Sequence, residues 1–276
     1  MPIITLTTDF GLKDHAVGAV KGAVLSELND AIIVDISHEV SPFHITEAAY
    51  IIKNAYRSFP KGSIHLIGVD SELTPENKHI ALLLDEHYFV CANNGIMSLI
   101  ASEIKPEKIV EINIHKSVES TFPVLDVFIK TACHIARGGT LEVIGKNIRS
   151  VKQIKEFEPY VNNEQNQIVG HVIYIDNYGN VVSNISKKLF EKIGKGRDFV
   201  LSARSINFKK IHATYSDAIN FDLPKGKREE EGKKLAIFNS SEYVELAIYK
   251  SNPNTVGSAS TLFGLHLMDT ITIKFN

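Results

Sequence analysis

The sequence predicts an α/β domain with a largely parallel sheet, followed by a smaller β-barrel-like domain. Three observations lead there. Short apolar runs alternate with helical patterns through the first half, as in βαβ units. The composition turns polar and turn-rich near residue 155. Beyond that point seven short strands follow one another with turns between them, the pattern of a small barrel or sandwich. The boundaries read as 1–157 and 168–276, with EFEPYVNNEQNQIVG as the linker.

The elements follow in order. Ile3 to Thr7 is a β-branched run that stops at Thr8-Asp9-Phe10-Gly11. Helical spacing then places Val17, Val20, Val24 and Leu25 on one face. AIIVDIS is a second strand, ITEAAYIIKNAYRSF a helix with Thr46 as its N-cap, and SIHLIGVD a strand ending at Asp70. HIALLLDEHYFVCANNG reads as two strands joined at Asp85-Glu86-His87. IMSLIASEI is helical, KIVEINI a strand, and LDVFIKTACHIARG a helix closed by Gly138. In the second half the strands are QIVGHVIYID, NVVSNIS, RDFVLSA, INFKKIHATYSD, KLAIFNSS, YVELAIY and DTITIKFN. KGKREEEGKK reads as a solvated hairpin tip.

Composition narrows the class. The chain has 276 residues, 44% apolar and 22% charged, with net charge −2 and a pI near 6.6. That balance argues against nucleic acid or an anionic membrane surface as partner. No apolar run is long enough to span a bilayer and no secretory leader stands at the start, so the expected location is cytoplasmic. Cys91 and Cys133 lie in apolar contexts and read as free buried thiols. No CxxC or HExxH metal spacing occurs.

Polar residues gather where strands end: Thr8-Asp9, Asp35 to His38, Asp70, and Asp176-Asn177-Tyr178-Gly179-Asn180. Ligands of open α/β sheets bind outside the carboxyl ends of the strands, which gives Asp9 a place to hold hydroxyls. An ordinary turn role explains it as well. A hairpin turn accounts for Gly179 and one Asn, but not for Ser183 and Asn184 just beyond.

These segments resemble a known family. TTDFGLKDHAVGAVKG is similar to the opening signature of the S-adenosylmethionine (SAM) hydroxide adenosyltransferases, relatives of fluorinase and chlorinase. IVDISHEVSPFHITEAAYII, VDSELTPENKHIALLL, ANNGIMSLI, STFPVLDVF, YIDNYGNVVSNI, FNSSEYVELAIY and FGLHLMDTITI resemble later blocks, in order. The resemblance implies hydrolysis of SAM to adenosine and methionine by water attack at C5′, with SAM as substrate and no metal or second cofactor. It implies a homotrimer with intersubunit sites. Asp9 would accept the ribose hydroxyls and Phe43 would lie against the sugar. Tyr178 and Tyr215 would flank adenine, and Asn180 would read its edge. Asp176 and Ser240 would hold the methionine ammonium and carboxylate.

The resemblance also breaks. The family's hydrolases surround the water with an Asp, an Arg and a His. Asp70 matches the first; the second falls on or near Asn77, beside Lys78 and His79, and the third on Pro123. Asn93 stands where the family has Asp. Lys78 or His79 could restore a positive charge, whereas proline donates nothing. Two readings therefore stand: a hydrolase with impaired turnover, or a SAM/adenosine-binding protein of the same fold with lost or altered catalysis.

Overall fold

The computed structural model describes residues 1–101, 104–114, 120–155 and 157–276. The chain divides into two compact units, Met1–Lys155 and Glu156–Asn276. The last two residues of the expected IMSLIASEI helix that precede Ile104, and the first residue of the expected linker, lie outside the described residues.

The first unit is built on β1 (Ile3–Thr8), α1 (Ala16–Glu27), β2 (Ile32–Ser37), α2 (Ile45–Ala55), β3 (Ile64–Gly68), β4 (His79–Leu84), β5 (His87–Ala92), α3 (Ile96–Ile100), β6 (Lys108–Ile112), α4 (Ile129–Ala136), α5 (Leu141–Ile144) and β7 (Gly145–Asn147). The sheet order is β2-β1-β3-β5-β4-β6-β7. Strands β2, β1, β3 and β5 are parallel. Strands β4, β6 and β7 add on antiparallel. The sheet is thus mixed, with its parallel strands forming one half. The change of direction follows from the β4–β5 hairpin. Asp85 and Glu86 both take left-handed backbone conformations, φ 53° and 63°, and a two-residue turn of that kind joins only antiparallel strands.

Apolar cores lie on both faces of this sheet. Ile4, Leu6, Leu66, Val90 and Val110 meet Val20 and Val24 of α1 and Phe128, Ala132 and Cys133 by α4. Ile67, Ile80, Leu82, Phe89 and Cys91 meet Ala48 and Ile52 of α2 and Met97 of α3. Burial of each large side chain contributes about 1.5–3 kcal/mol. Leu25, expected on the buried face of α1, is exposed. The N-cap of α2 is His44 rather than Thr46: its Nδ1 accepts from Glu47 N at 3.2 Å.

The second unit contains β8 (Tyr160–Val161), β9 (Gln167–Ile175), β10 (Val181–Ser186), α6 (Lys187–Gly194), β11 (Phe199–Ala203), β12 (Ile206–Phe208), β13 (Lys234–Phe238), β14 (Tyr243–Ile248), α7 (Ala259–Phe263) and β15 (Thr270–Phe275). Its antiparallel sheet runs β12-β11-β15-β9-β10-β14-β13, with β8 beside β9. His212, just past β12, donates its N–H to Ala236 O of β13 at 2.7 Å. The sheet curls into a nearly closed barrel around Ile168, Val172, Leu201, Leu246, Ile271 and Ile273. KGKREEEGKK is not a hairpin tip, because β12 pairs with β11 and not β13. It belongs to the long excursion between β12 and β13, where Arg228 folds back over the Phe221 ring. Among the described residues no helix is long and apolar enough to cross a membrane. Both cysteines are free and buried.

One buried polar chain crosses the first sheet. Thr5 Oγ1 lies 2.7 Å from His65 Nδ1, and His65 Nε2 lies 3.1 Å from His87 Nδ1. Burial, with a smaller contribution from His87, pushes His65 down to about 3 from its ordinary 6.5. Above pH 6.5 both folded and unfolded states are neutral at this site. As pH falls below 6.5, the unfolded chain binds a proton that the folded chain refuses until about pH 3. Stability is therefore lost downward through that window, at about 1.4 kcal/mol per pH unit. Urea unfolding at pH 7 and pH 5 should show a difference smaller by about 2 kcal/mol in His65→Gln than in wild type. Equal differences would show that His65 does not couple folding to protons.

Candidate functional site

In the first unit the site is assembled by strand ends. Parallel pairing sets Thr7 beside Ser37 and Thr8 beside Gly68. The residues that follow, His38, Asp9 and Asp70, leave neighbouring strands at one edge. Asp9 is fixed there, since its Oδ2 accepts from Phe43 N at 2.9 Å. Phe43 adopts φ 62° and is 74% exposed. A non-glycine residue in the left-handed region with an exposed aromatic ring is an uncommon expense for a fold. Gly11 N donates to His38 O at 2.8 Å and ties the two loops together.

Beneath them, Thr8 Oγ1 lies 2.7 Å from His38 Nδ1. His38 Nε2 approaches Asp35 Oδ1 at 3.1 Å, too obliquely for a hydrogen bond, and Lys21 pairs with Asp35 at 2.5 Å. The carboxyl of Asp35 is held below its ordinary value; burial opposes this, and the Lys21 bond together with the close approach of His38 outweighs it. Gly68 is required at the end of β3. A Cβ there would meet Val124 Cγ2 at 2.9 Å and the Phe10 ring at 3.2 Å.

Asp70 also takes a left-handed conformation, φ 44°. Asn94 Nδ2 holds the turn by donating to Val69 O and Asp70 O, both at 3.1 Å. His79 is buried in β4 and its Nε2 lies 3.0 Å from Ser71 O, so it braces the turn. Asn77 Oδ1 accepts from Lys152 Nζ at 2.9 Å. Asn93 Oδ1 accepts from Lys152 N at 2.8 Å. Pro123 opens a π-helical turn, Val124–Phe128, that runs into α4. Ser120 Oγ donates to Asp126 Oδ2 at 2.6 Å across this entry.

In the second unit the loop between β9 and β10 is organised by Asp176. Its Oδ1 accepts from Tyr178 N at 2.9 Å and Asn180 N at 2.8 Å, and its Oδ2 from Asn180 Nδ2 at 3.0 Å. Tyr178 is thrust outward, 65% exposed, while Asn180 is buried. Gly179, φ 72°, lies against Ser258, and Ser260 N donates to Gly179 O at 2.9 Å. Ser183 and Asn184 prove structural. The β9–β10 register shifts between Val182 and Ser183. Ser183 Oγ then donates to Val244 O, and Asn184 Oδ1 accepts from His171 N. Their side chains replace ladder bonds lost at the bulge.

Tyr215 lies in the excursion between β12 and β13. Its hydroxyl donates to Glu245 Oε1 at 2.6 Å. Glu245 is only 4% exposed. Burial raises its carboxyl above the ordinary value, against hydrogen bonds from Tyr215 and Asn239. Burial and the Glu245 bond raise the Tyr215 phenol; Asp176 and Tyr178 add smaller effects of the same sign. Asp176, Tyr178, Tyr215 and Glu245 therefore share one neighbourhood. Ser240 is exposed in the β13–β14 turn. Glu245 and Lys152 were not singled out from sequence. A charge inside the apolar strand YVELAIY was the available signal for the first; Lys152 carried none.

Residues 4–145 match the SAM hydroxide adenosyltransferase N-terminal domain, and residues 170–272 match the C-terminal domain. The chain belongs to the SAM hydroxide adenosyltransferase family. A relative from Methanocaldococcus jannaschii, named (R)-S-adenosyl-L-methionine hydrolase, is 30% identical over 283 residues, covering 100% of this chain and 97% of the relative. A relative named fluorinase, from Nocardia brasiliensis, is 25% identical and covers 89% of this chain and 90% of its own. The crystal structure of an uncharacterized conserved protein from Thermotoga maritima matches with TM-score 0.82 at 28% identity, covering 99% of each chain. This family member thus has the α/β and barrel-like pair of domains that its sequence predicts.

Gly179→Ala tests the packing of the Asp176 loop in this adenosyltransferase-family chain. The new Cβ would sit 2.2 Å from Ser258 Oγ at a left-handed φ. The variant should lose about 1–3 kcal/mol of stability, read as a lower midpoint of thermal unfolding. An unchanged midpoint would mean that the loop does not rest on Ser258.

Proposed function

We propose that this chain hydrolyses S-adenosylmethionine to adenosine and methionine. One observation carries the reading: Asp9 and Asp70 leave adjacent parallel strands at one edge, with the Asp9 carboxylate already oriented by the Phe43 amide. Family membership and the hydrolase named among its relatives support the same reading.

Asp9 accepts the ribose hydroxyls, for which two carboxylate oxygens suit a vicinal diol. Phe43 lies against the sugar. Tyr178 and Tyr215 flank adenine, Asn180 reads its edge, and Asp176 and Ser240 hold the amino-acid end. A water oxygen forms a bond to C5′ while the C5′–sulfur bond breaks. The bonding pair goes to sulfur, so methionine leaves as a neutral thioether and needs no general acid. Asp70 orients the water and takes its proton. No metal or second cofactor enters. The two units carry separate parts of the ligand set, and the resemblance supports a homotrimer in which the first unit of one copy joins the second unit of the next. The enzyme works in the cytoplasm.

Turnover is slow. Pro123 offers no donor, and His79 is engaged with Ser71 O. Those same two observations favour a second reading, binding without turnover.

Asp9→Ala should weaken adenosine binding by about 1.5–3 kcal/mol, the worth of a charge-assisted hydrogen bond. Calorimetry showing unchanged affinity would remove Asp9 from the ribose site. For the chemistry, adenosine released from SAM is measured chromatographically for wild type and Asp70→Asn. Slow release by wild type, lost in the variant by on the order of 10²-fold or more, is expected. Rapid wild-type turnover would contradict the slow reaction, and equal turnover in Asp70→Asn would exclude Asp70 from it.

A further inference from the structure

The segment after β7 crosses the carboxyl edge of the first sheet as a strap. Lys152 N donates to Asn93 Oδ1 at 2.8 Å, and Ile154 N donates to Ser98 Oγ at 3.2 Å. Val151, just before these anchors, is buried. Gly95, φ 107°, makes room: a Cβ there would stand 2.6 Å from Ile154 Cγ2. Three separate features therefore fix residues 151–154 onto the turn that follows β5.

The strap carries a cation to a defined place. Lys152 is half-buried, and its Nζ donates to Asn77 Oδ1 at 2.9 Å. That partner is a neutral amide. Among the described residues no carboxylate lies within ion-pair distance of Nζ. Asn77 belongs to the loop between Asp70 and β4, and its backbone is closed on Thr74: Thr74 N donates to Asn77 O, and Asn77 N to Thr74 Oγ1. Asn93 and Asn94 are consecutive. The first holds the Lys152 backbone, and the second holds the Asp70 backbone through Asn94 Nδ2. Lys152 and Asp70 are thus fixed to the same two-residue turn.

We propose that Lys152 is the positive charge of the water-handling site, acting as a positioning residue that works through Asn77. This deepens the hydrolase reading and rests on it. A half-buried cation whose charge no carboxylate neutralises favours a hydroxide-like oxygen nearby. It stabilises water as the proton passes to Asp70. The Nζ bond also orients the Asn77 amide, leaving its NH2 group free to donate toward that oxygen. The loop itself carries Lys78 and no arginine, and the strap brings a second cation, Lys152, onto its Asn77. The strap depends on backbone N–H groups at positions 152 and 154, so it persists whatever side chain stands at 152.

The test uses the full chain, with SAM as substrate and adenosine release as readout. Lys152→Met should lower kcat on the order of 10²-fold, with KM for SAM changed less than about 3-fold and the thermal midpoint retained. Lys152→Arg should keep most of the activity. The double variant Asn77→Arg with Lys152→Met should recover activity over Lys152→Met alone, because the charge returns from the other side of the same bond. A purely structural lysine would not be replaced in that way. If wild type turns over and Lys152→Met matches it, or the double variant recovers nothing, the assignment to Lys152 falls and the hydrolase reading stands. If wild type releases no adenosine, the hydrolase reading falls first and the role of Lys152 falls with it.

Discussion

Parallel pairing of β2, β1, β3 and β5 governs the chemistry of the first unit. Parallel strands end on the same side, so four consecutive loops begin in one row. His38, Asp9, Asp70 and Asn94 come together from positions as much as 85 residues apart (9 to 94) without any long side chain reaching for another. The same geometry forces close backbone approach. Gly68, Phe10 and Val124 interlock at the end of β3, and a side chain at 68 would have to displace the Val124 methyl and crowd the Phe10 ring. The antiparallel half of the sheet contributes differently. Strand β4 begins at the site edge, with His79 opposite Ala92, and His79 braces the loop 71–78 that leads into it.

The second unit solves a related problem by other means. An antiparallel barrel has no shared row of strand ends, so its polar groups gather around one tight loop and one buried carboxylate. Asp176 satisfies the loop, and Glu245 anchors the ring of Tyr215. A buried carboxylate needs hydrogen bonds to be tolerated, and Tyr215 and Asn239 provide them. The anchor therefore stabilises the sheet and fixes an aromatic face with the same contacts.

Much of this was legible in the sequence because it is local. The change of periodicity after Thr7 exposed Asp9, and a run of Asn and Gly between β-branched segments exposed the Asp176 loop. The hairpin at Asp85-Glu86 was readable for the same reason. What failed was tertiary. Strand order is set by which apolar faces meet, and nothing in KIVEINI says that it pairs antiparallel beside HIALLL. Ser183 and Asn184 looked like ligand groups because a bulge has no one-residue signature. The helix KKLFEKIG escaped notice among polar residues, although Ser186 caps it by accepting from Leu189 N. Lys152 is the clearest case, since its meaning depends on Asn77 and Asn93, 75 and 59 residues away.

The closure of the Asp176 loop on itself bears on recognition. With three donors already drawn to its carboxylate and Gly179 seated on Ser258, the loop takes its shape when the chain folds. A ligand arriving there meets a preorganised surface and does not have to order it. The entropic penalty of fixing those five residues falls on folding, at roughly 1–2 kcal/mol per residue, and not on association.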